Sequence, residues 1–328
     1  MSDSRRTLAE QWAVRQLGWS DWSSEAISSD ASFRRYFRLT GNGPSWVVMD
    51  APPDHERIDH FVDVAQRLDG LVHVPKILAS DPNQGLVLLE DLGSVPFHHR
   101  LDDDNADELF GAALDALRTI QKQASTERLP DYDAALLLRE LSLFPDWFLA
   151  RHWQVEATDD ELDDWDSLCA LLIRWALDQP TVFCHRDFMP RNLMLSDPNP
   201  GIIDFQDAVR GPISYDPVCL FRDAFLSWPT QRVDDWLECY RQKALDAGLP
   251  MTESARLWQR QCDFMGVQRH LKVLGIFARI AYRDGKPAYL KDAPRFFDYL
   301  SVAISRNPEL VLLDDLLGRW RARSVQTA

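Results

Sequence analysis

Apolar positions recur at spacings of three and four over residues 8–17, Leu-Ala-Glu-Gln-Trp-Ala-Val-Arg-Gln-Leu, and predict an opening helix. Two short apolar runs follow, Phe33 to Leu39 and Trp46 to Met49, on either side of Gly41-Asn42-Gly43-Pro44, and read as strands around a turn. A helix is expected from about Glu56 to Leu68, stopped by Asp69-Gly70. Two further strands, Val74 to Ala79 and Leu86 to Glu90, turn through Asp81-Pro82-Asn83. These elements make a small sheet with a helix packed on it. The pattern changes after Asp91-Leu92-Gly93: residues 104–123, 162–178 and most of 231–280 carry helical periodicity, with Pro130-Asp131-Tyr132-Asp133 as a break. Nothing repeats at a solenoid period. The pattern predicts an α+β chain, a small antiparallel sheet followed by a larger, mostly helical part.

One segment interrupts the helical part. Asn192-Leu193-Met194-Leu195 and Ile202-Ile203-Asp204 read as two short strands joined by the turn Ser196-Asp197-Pro198-Asn199-Pro200-Gly201, which brings Asn192 and Asp204 together. Just upstream stands His185-Arg186-Asp187-Phe188-Met189-Pro190-Arg191. Asp187 is suited to orient a hydroxyl and accept its proton, while an amide oxygen of Asn192 and the carboxylate of Asp204 are hard donors for a divalent cation against nucleotide phosphates. Each residue alone has a plainer use: Asp187 as a turn cap, Asn192 in a local turn bond, Asp204 as a strand-end cap. His185 is expected to fix the loop backbone around Asp187 by hydrogen bonding.

With 328 residues, 45% of them hydrophobic and 27% charged, the chain is globular and long enough for one large domain or two ordinary ones. No apolar stretch approaches the roughly 18 to 20 residues of a bilayer span, and Met1-Ser2-Asp3-Ser4-Arg5-Arg6 leads into polar residues, so a cytoplasmic protein is expected. Acidic side chains number 51 against 36 Lys and Arg, a net charge of −15 that repels nucleic acid and anionic membrane. Phosphate binding in such a field needs local positive charge, which a cation at Asn192 and Asp204 would supply. The five cysteines, Cys169, Cys184, Cys219, Cys239 and Cys262, lack C-x-x-C spacing and are expected to be buried thiols.

His185-x-Asp187-x-x-x-x-Asn192 followed by Ile203-Asp204-Phe205 resembles the protein-kinase-like phosphotransferases that act on small molecules, the aminoglycoside and choline kinase group. Within it the chain is most similar to the bacterial branch that phosphorylates the anomeric hydroxyl of N-acetylmuramate and N-acetylglucosamine in peptidoglycan recycling. The phrases carrying that likeness are Ser29-Asp30-Ala31-Ser32-Phe33-Arg34-Arg35-Tyr36-Phe37-Arg38, Met49-Asp50-Ala51-Pro52-Pro53, Asp204-Phe205-Gln206-Asp207-Ala208 and Gly211-Pro212-Ile213-Ser214-Tyr215-Asp216. The resemblance implies a two-lobed kinase-like fold, residues 1–92 binding nucleotide and 93–328 carrying the catalytic loop and acceptor site. It implies ATP and Mg2+ as cofactors, an amino-sugar as the small-molecule partner, and a monomer. It assigns catalysis to Asp187 with His185 and Asp216, the last bracing the loop, although Asp216 also suits a helix cap.

The first lobe departs from the protein-kinase pattern twice. Ser28-Ser29-Asp30-Ala31-Ser32-Phe33 has no glycine of a G-x-G-x-x-G loop, and Val47-Val48-Met49-Asp50 has no lysine where Val-Ala-Ile-Lys is expected. Ser32, Arg34 and Arg35 are the phosphate-side candidates, with Arg34 and Arg35 free to flank opposite faces of a strand. Met49 and the connector Glu90 to Leu92 are candidates for the adenine side, where main-chain groups can read a base edge. Phe188, Asp207, Arg210 and the aromatics from Trp147 to Trp153 are candidates to shape the acceptor pocket, with core packing the simpler use of the aromatics. Other readings are another small-alcohol or aminoglycoside kinase, and a nucleotide-sensing protein without transfer activity.

Overall fold

A computed structural model describes residues 3–28 and 34–326. Packing groups the chain into two compact units, Met1–Ser125 with Pro190–Ala208, and Thr126–Met189 with Val209–Ala328. This grouping differs from a lobe boundary near residue 92, because residues 93–125 and the hairpin join the first unit.

In the first unit, Asp3 caps helix α1 (Ser4–Leu17) by accepting from Arg6 N at 3.0 Å. Gly18, at φ 67°, ends the helix in the left-handed conformation that glycine adopts without strain. Strands β1 (Trp22–Ser28), β2 (Arg35–Gly41) and β3 (Trp46–Asp50) precede helix α2 (Asp59–Leu68), and β4 (Ile77–Asp81) and β5 (Leu86–Glu90) follow it. They form one antiparallel sheet in the order β1-β2-β3-β5-β4. Phe37 and Leu39 of β2, Val48 of β3, and Leu86 and Leu88 of β5 bury one face of the sheet against Ala9, Trp12 and Ala13 of α1. The period of two along each strand is what places them on one side. The apolar pattern predicts four of the five strands. It misses β1, whose Ser23, Ser24 and Glu25 are polar; β1 is an edge strand held by main-chain pairing to β2 and presents little apolar signal.

Helix α2 buries Phe61, Val64, Ala65 and Leu68 at helical spacing, and the Phe61 ring lies 5.0 Å from that of Phe205. Helix α3 (Ala106–Gln123) buries Leu109, Phe110, Ala113, Leu114 and Leu117 in the same way. The hairpin pairs Leu193 with Ile202 and Met194 with Gly201. Main-chain bonds from Leu195 N to Val95 O and from Ile202 N to His73 O, both 2.8 Å, tie it to the first unit.

The second unit holds α4 (Ala134–Leu141), a π-helix over Phe144–Trp153, α5 (Asp159–Leu177), α6 (Tyr215–Phe221), α7 (Thr230–Asp246), α8 (Ala255–Arg283), α9 (Ala293–Arg306) and α10 (Val311–Gln326). A pair of short antiparallel strands, Thr181–Cys184 and Val209–Pro212, lies among them. The helical stretch expected over 231–280 is two helices, divided at Gly248-Leu249-Pro250. Helix α8 spans 29 residues, 19 of them buried, so it runs through the core instead of presenting a single apolar stripe. A Cβ at its Gly275 would come within 2.3 Å of the Leu143 backbone, which accounts for glycine in a helix interior, where it costs about 1 kcal/mol relative to alanine. Phe144 and Phe148 join this core beside Trp165 and Trp320, and Trp147 and Trp153 pack against it.

All five cysteines are free thiols, and four are buried. Cys239 departs from expectation: it lies on α7 beyond the face that buries Val233, Trp236, Leu237 and Tyr240, and is exposed. Among the described residues no helix is long and apolar enough to cross a membrane.

Candidate active site

In the second unit, strand Thr181–Cys184 delivers His185-Arg186-Asp187 from its C-terminal end. Arg186 has φ 74°, a left-handed conformation that costs a residue with a side chain on the order of 1–3 kcal/mol unless its surroundings hold it. Asp216, in the first turn of α6 and fully buried, holds it: one carboxylate oxygen accepts from His185 N at 2.7 Å and the other from Arg186 N at 2.9 Å. Burial raises this carboxyl to about 7, against the pull of the two N–H bonds, and the neighbouring Asp187 charge adds to the rise. The buried His185 accepts from Asp187 N through Nδ1 at 3.3 Å, and its ring meets Phe188 edge-on at 5.7 Å. Two consecutive residues before Asp187 are thus fixed through their backbone, and the third through its own N–H. Phe188 itself is fully buried. Arg210 forms an ion pair with Asp131 at 2.6 Å.

In the first unit, the hairpin sets Asn192 and Asp204 side by side, with Asn192 Nδ2 3.3 Å from Asp204 Oδ2. The other carboxylate oxygen accepts from Gln206 Nε2 at 3.0 Å, and Asp204, like Arg186, has a positive φ, 64°. Gln206 also donates to Asp207 at 3.1 Å. Arg34, at the entry to β2 and 9% exposed, places its guanidinium 3.3 Å from Glu56 and 3.8 Å from Asp204. Burial alone would weaken its charge, but Tyr36, Asp204, Glu56 and Asp207 outweigh burial and raise its pKa. Arg35 pairs with Asp50 at 2.6 Å and also with Asp3, while Arg5 reaches Asp50 at 2.7 Å. The two arginines therefore divide as strand neighbours do, Arg34 toward the hairpin and Arg35 into a lock on the fully buried Asp50.

Met49 is fully buried in the middle of the sheet, opposite Tyr36 and Val87. At the connector, Glu90 N donates to Lys76 O at 2.9 Å, Leu92 is buried, and Asp91 is paired with Arg38 at 2.6 Å. Ser32 lies outside the described residues.

Asn192 and Asp204 fit a magnesium ion by donor chemistry and spacing. The ion takes oxygen ligands at about 2.1 Å, so adjacent ligands sit about 3 Å apart, and turning the Asn192 amide presents its oxygen at that separation. Among the described residues no group of three or more His, Cys, Asp or Glu is placed to hold a metal. An ion held by this pair would take the rest of its shell from phosphate and water oxygens.

The sequence matches the phosphotransferase enzyme family over residues 23–258. That span contains the loop at Asp187 and the hairpin whole. The chain belongs to the phosphotransferase enzyme family. An N-acetylmuramate/N-acetylglucosamine kinase from Pseudomonas aeruginosa is 58% identical over 304 residues, covering 92% of this chain and 90% of that protein. One of the same name from Pseudomonas putida is 52% identical over 301 residues, covering 92% and 89%. An ADP-bound aminoglycoside phosphotransferase structure superposes with a TM-score of 0.60 at 14% identity, covering 90% of this chain and 98% of that one, a likeness of fold.

Two acidic residues of this phosphotransferase emerge only from the structure. Glu56, the Arg34 partner, stands where the apolar pattern places the start of a helix; α2 begins instead at Asp59, and nothing in the sequence pointed to a charged partner for Glu56. Glu140 had one: with Leu137 and Leu141 it occupies the buried face of α4, and a carboxylate at a core-facing position calls for a charged partner. Its charged partners are Lys272 of α8 and Arg186 of the loop.

Proposed function

We propose that this phosphotransferase transfers the terminal phosphoryl group of ATP to the anomeric hydroxyl of N-acetylmuramate, N-acetylglucosamine or both, in cytoplasmic cell-wall recycling. The observation that carries the choice of acceptor is 58% and 52% identity, over 92% of the chain, to kinases of that name. Identity at this level extends through the helical part, where the acceptor would bind, whereas 14% identity to an aminoglycoside phosphotransferase supports the fold alone. A net charge of −15 favours a small-molecule partner over nucleic acid or an anionic membrane. The protein would act as a monomer, with residues 1–92 as the nucleotide-binding lobe and 93–328 as the catalytic and acceptor-binding lobe.

In this reading Asp187 receives the acceptor proton. Little covalent chemistry is asked of the protein in phosphoryl transfer; positioning and charge stabilisation dominate, so the base need only hold the hydroxyl in line and take its proton late. An anomeric hydroxyl is more acidic than an ordinary alcohol, which eases that task. His185 and Asp216 hold the loop. Arg34 supplies the cation that Met49 cannot, with Glu56 orienting it, and Ser32 with nearby main-chain groups stands in for a glycine-rich loop. Adenine recognition falls to the Glu90–Leu92 main chain, where the Glu90 N–H is already given to Lys76, with Met49 as apolar support. Asn192 and Asp204 would hold Mg2+, which when bound neutralises phosphate charge.

Incubation with ATP, Mg2+ and a panel of acceptors, followed by phosphorus NMR, tests the reading. An anomeric phosphate signal from N-acetylmuramate or N-acetylglucosamine is the expected result. Turnover confined to aminoglycosides or to other alcohols would overturn it.

A further inference from the structure

The phosphotransfer loop is anchored by its backbone at Asp216, and a second anchor holds it by a side chain. The guanidinium of Arg186, the residue before Asp187, bonds Glu140 of α4 and lies 5.4 Å from the centre of the Tyr132 ring. Glu140 is a buried hub. Besides Arg186 it accepts from the Tyr132 hydroxyl, from Lys272 Nζ at 2.9 Å and from Gln268 Nε2 at 3.2 Å, the last two on α8. Lys272 in turn donates to the Tyr215 hydroxyl at 3.1 Å, one residue before Asp216. The Arg186 carbonyl accepts from Cys219 Sγ at 3.5 Å on α6. Arg186 is therefore held at its N–H, its carbonyl and its side chain, in a backbone conformation that is unfavourable without support.

We infer that Glu140 is a positioning residue for phosphoryl transfer, acting through Arg186 to fix the orientation of Asp187. A peptide held at three points on one side transmits any rotation directly to the next residue. If the guanidinium is released, the left-handed Arg186 can relax and Asp187 turns with it. The anchor is constant over the working pH range. Burial would raise the Glu140 carboxyl, but Lys272 and Arg186 hold it at about 2, and Glu140 likewise raises the pKa of Arg186. The hub also explains why a largely buried arginine sits inside the motif at all: its side chain is turned into the fold, toward Glu140 of α4 and the α8 residues that share that carboxylate.

The inference rests on the proposed role of Asp187, and the test separates the two. Glu140→Gln keeps the size and an acceptor oxygen but removes the charge. It is expected to lower kcat about 10²-fold, as a misplacement of about 1 Å at a reacting group does, while KM for either substrate stays within about twofold. Glu140→Asp, which keeps the charge, should recover part of the loss. Glu140→Gln leaves Arg186 and Lys272 facing each other, so the doubly substituted Glu140→Gln/Lys272→Met, with the wild-type local charge, guards against a variant that merely fails to fold; it should show the same loss of kcat. In an Asp187→Asn background, Glu140→Gln should slow transfer no further. If Asp187→Asn alone transfers phosphoryl at the wild-type rate, the role of Asp187 falls, and this inference with it. If Asp187→Asn is slow but the folded Glu140 variants turn over normally, or if their effects multiply with that of Asp187→Asn, Glu140 does not act through Asp187 and the inference is overturned.

Discussion

Asp216→Asn turns the buried brace of the loop into a measurement. The carboxyl is raised from its ordinary 3.8 to about 7, chiefly by burial, so between these values the folded protein keeps a proton that the unfolded chain has released. The sign follows from proton linkage: stability contributed by the neutral form is fully present below about pH 4, declines as pH rises through the interval, and is gone above about pH 7. A rise of roughly three units corresponds to about 4 kcal/mol. Asparagine does not titrate. It offers one oxygen where Asp216 uses two, and turns an amide N–H toward a main-chain N–H, a loss of about 1–3 kcal/mol. The variant should therefore be less stable than the wild type near pH 4.5, and the deficit should shrink and reverse toward pH 8. Urea denaturation of both proteins across that range gives the difference directly, since all other titrating groups are shared. Parallel stability curves would refute the reasoning, because Asp216 would then ionise alike in the folded and unfolded chain.

Asp187→Asn should reduce the rate of phosphoryl transfer on the order of 10²- to 10⁴-fold in rapid-quench turnover, with nucleotide binding nearly unchanged. Asp204→Ala removes the anionic oxygen of the hairpin pair, so Mg2+ should no longer strengthen nucleotide binding in equilibrium dialysis. Arg34→Met should raise KM for ATP about 10- to 100-fold, the worth of one charge-assisted hydrogen bond, and Glu56→Gln should raise it less. A folded Arg34→Met protein with unchanged KM would place the phosphate-side cation elsewhere.

How much of this was legible in the chain depended on whether the partners are close in sequence. Asp187, Asn192 and Asp204 fall within eighteen residues, and the turn Ser196 to Gly201 with its flanking apolar residues was enough to bring the last two together. Helices with one buried face, such as α2 and α3, were legible for the same local reason. Three features were not. β1 is attached by its backbone and carries polar side chains. Arg34 and Arg35 are indistinguishable as a dipeptide, and only the pleat and the partners Glu56, Asp204 and Asp50 assign them. Arg186 lies inside the most recognisable motif of the chain, yet its partner Glu140 is 46 residues away. Periodicity marks which positions are buried, but an ion pair that allows a charge to be buried leaves no periodic trace in the sequence.

The acidic excess is the point at which sequence and site have to be reconciled. A net charge of −15 argues against phosphate binding if charge is averaged over the surface, yet coulombic attraction at a few ångströms outweighs a diffuse field screened within about 10 Å at ordinary salt. Arg34 is buried and kept charged by Glu56, Asp204 and Asp207. That same acidic surround would oppose a nucleotide arriving alone. A divalent cation held by Asn192 and Asp204 would reverse the local balance, since Asp204 would then neutralise the cation and the Arg34 guanidinium would be available to phosphate. The nucleotide and the cation should therefore bind more tightly together than either does separately, and Asp204 is the residue through which that coupling passes.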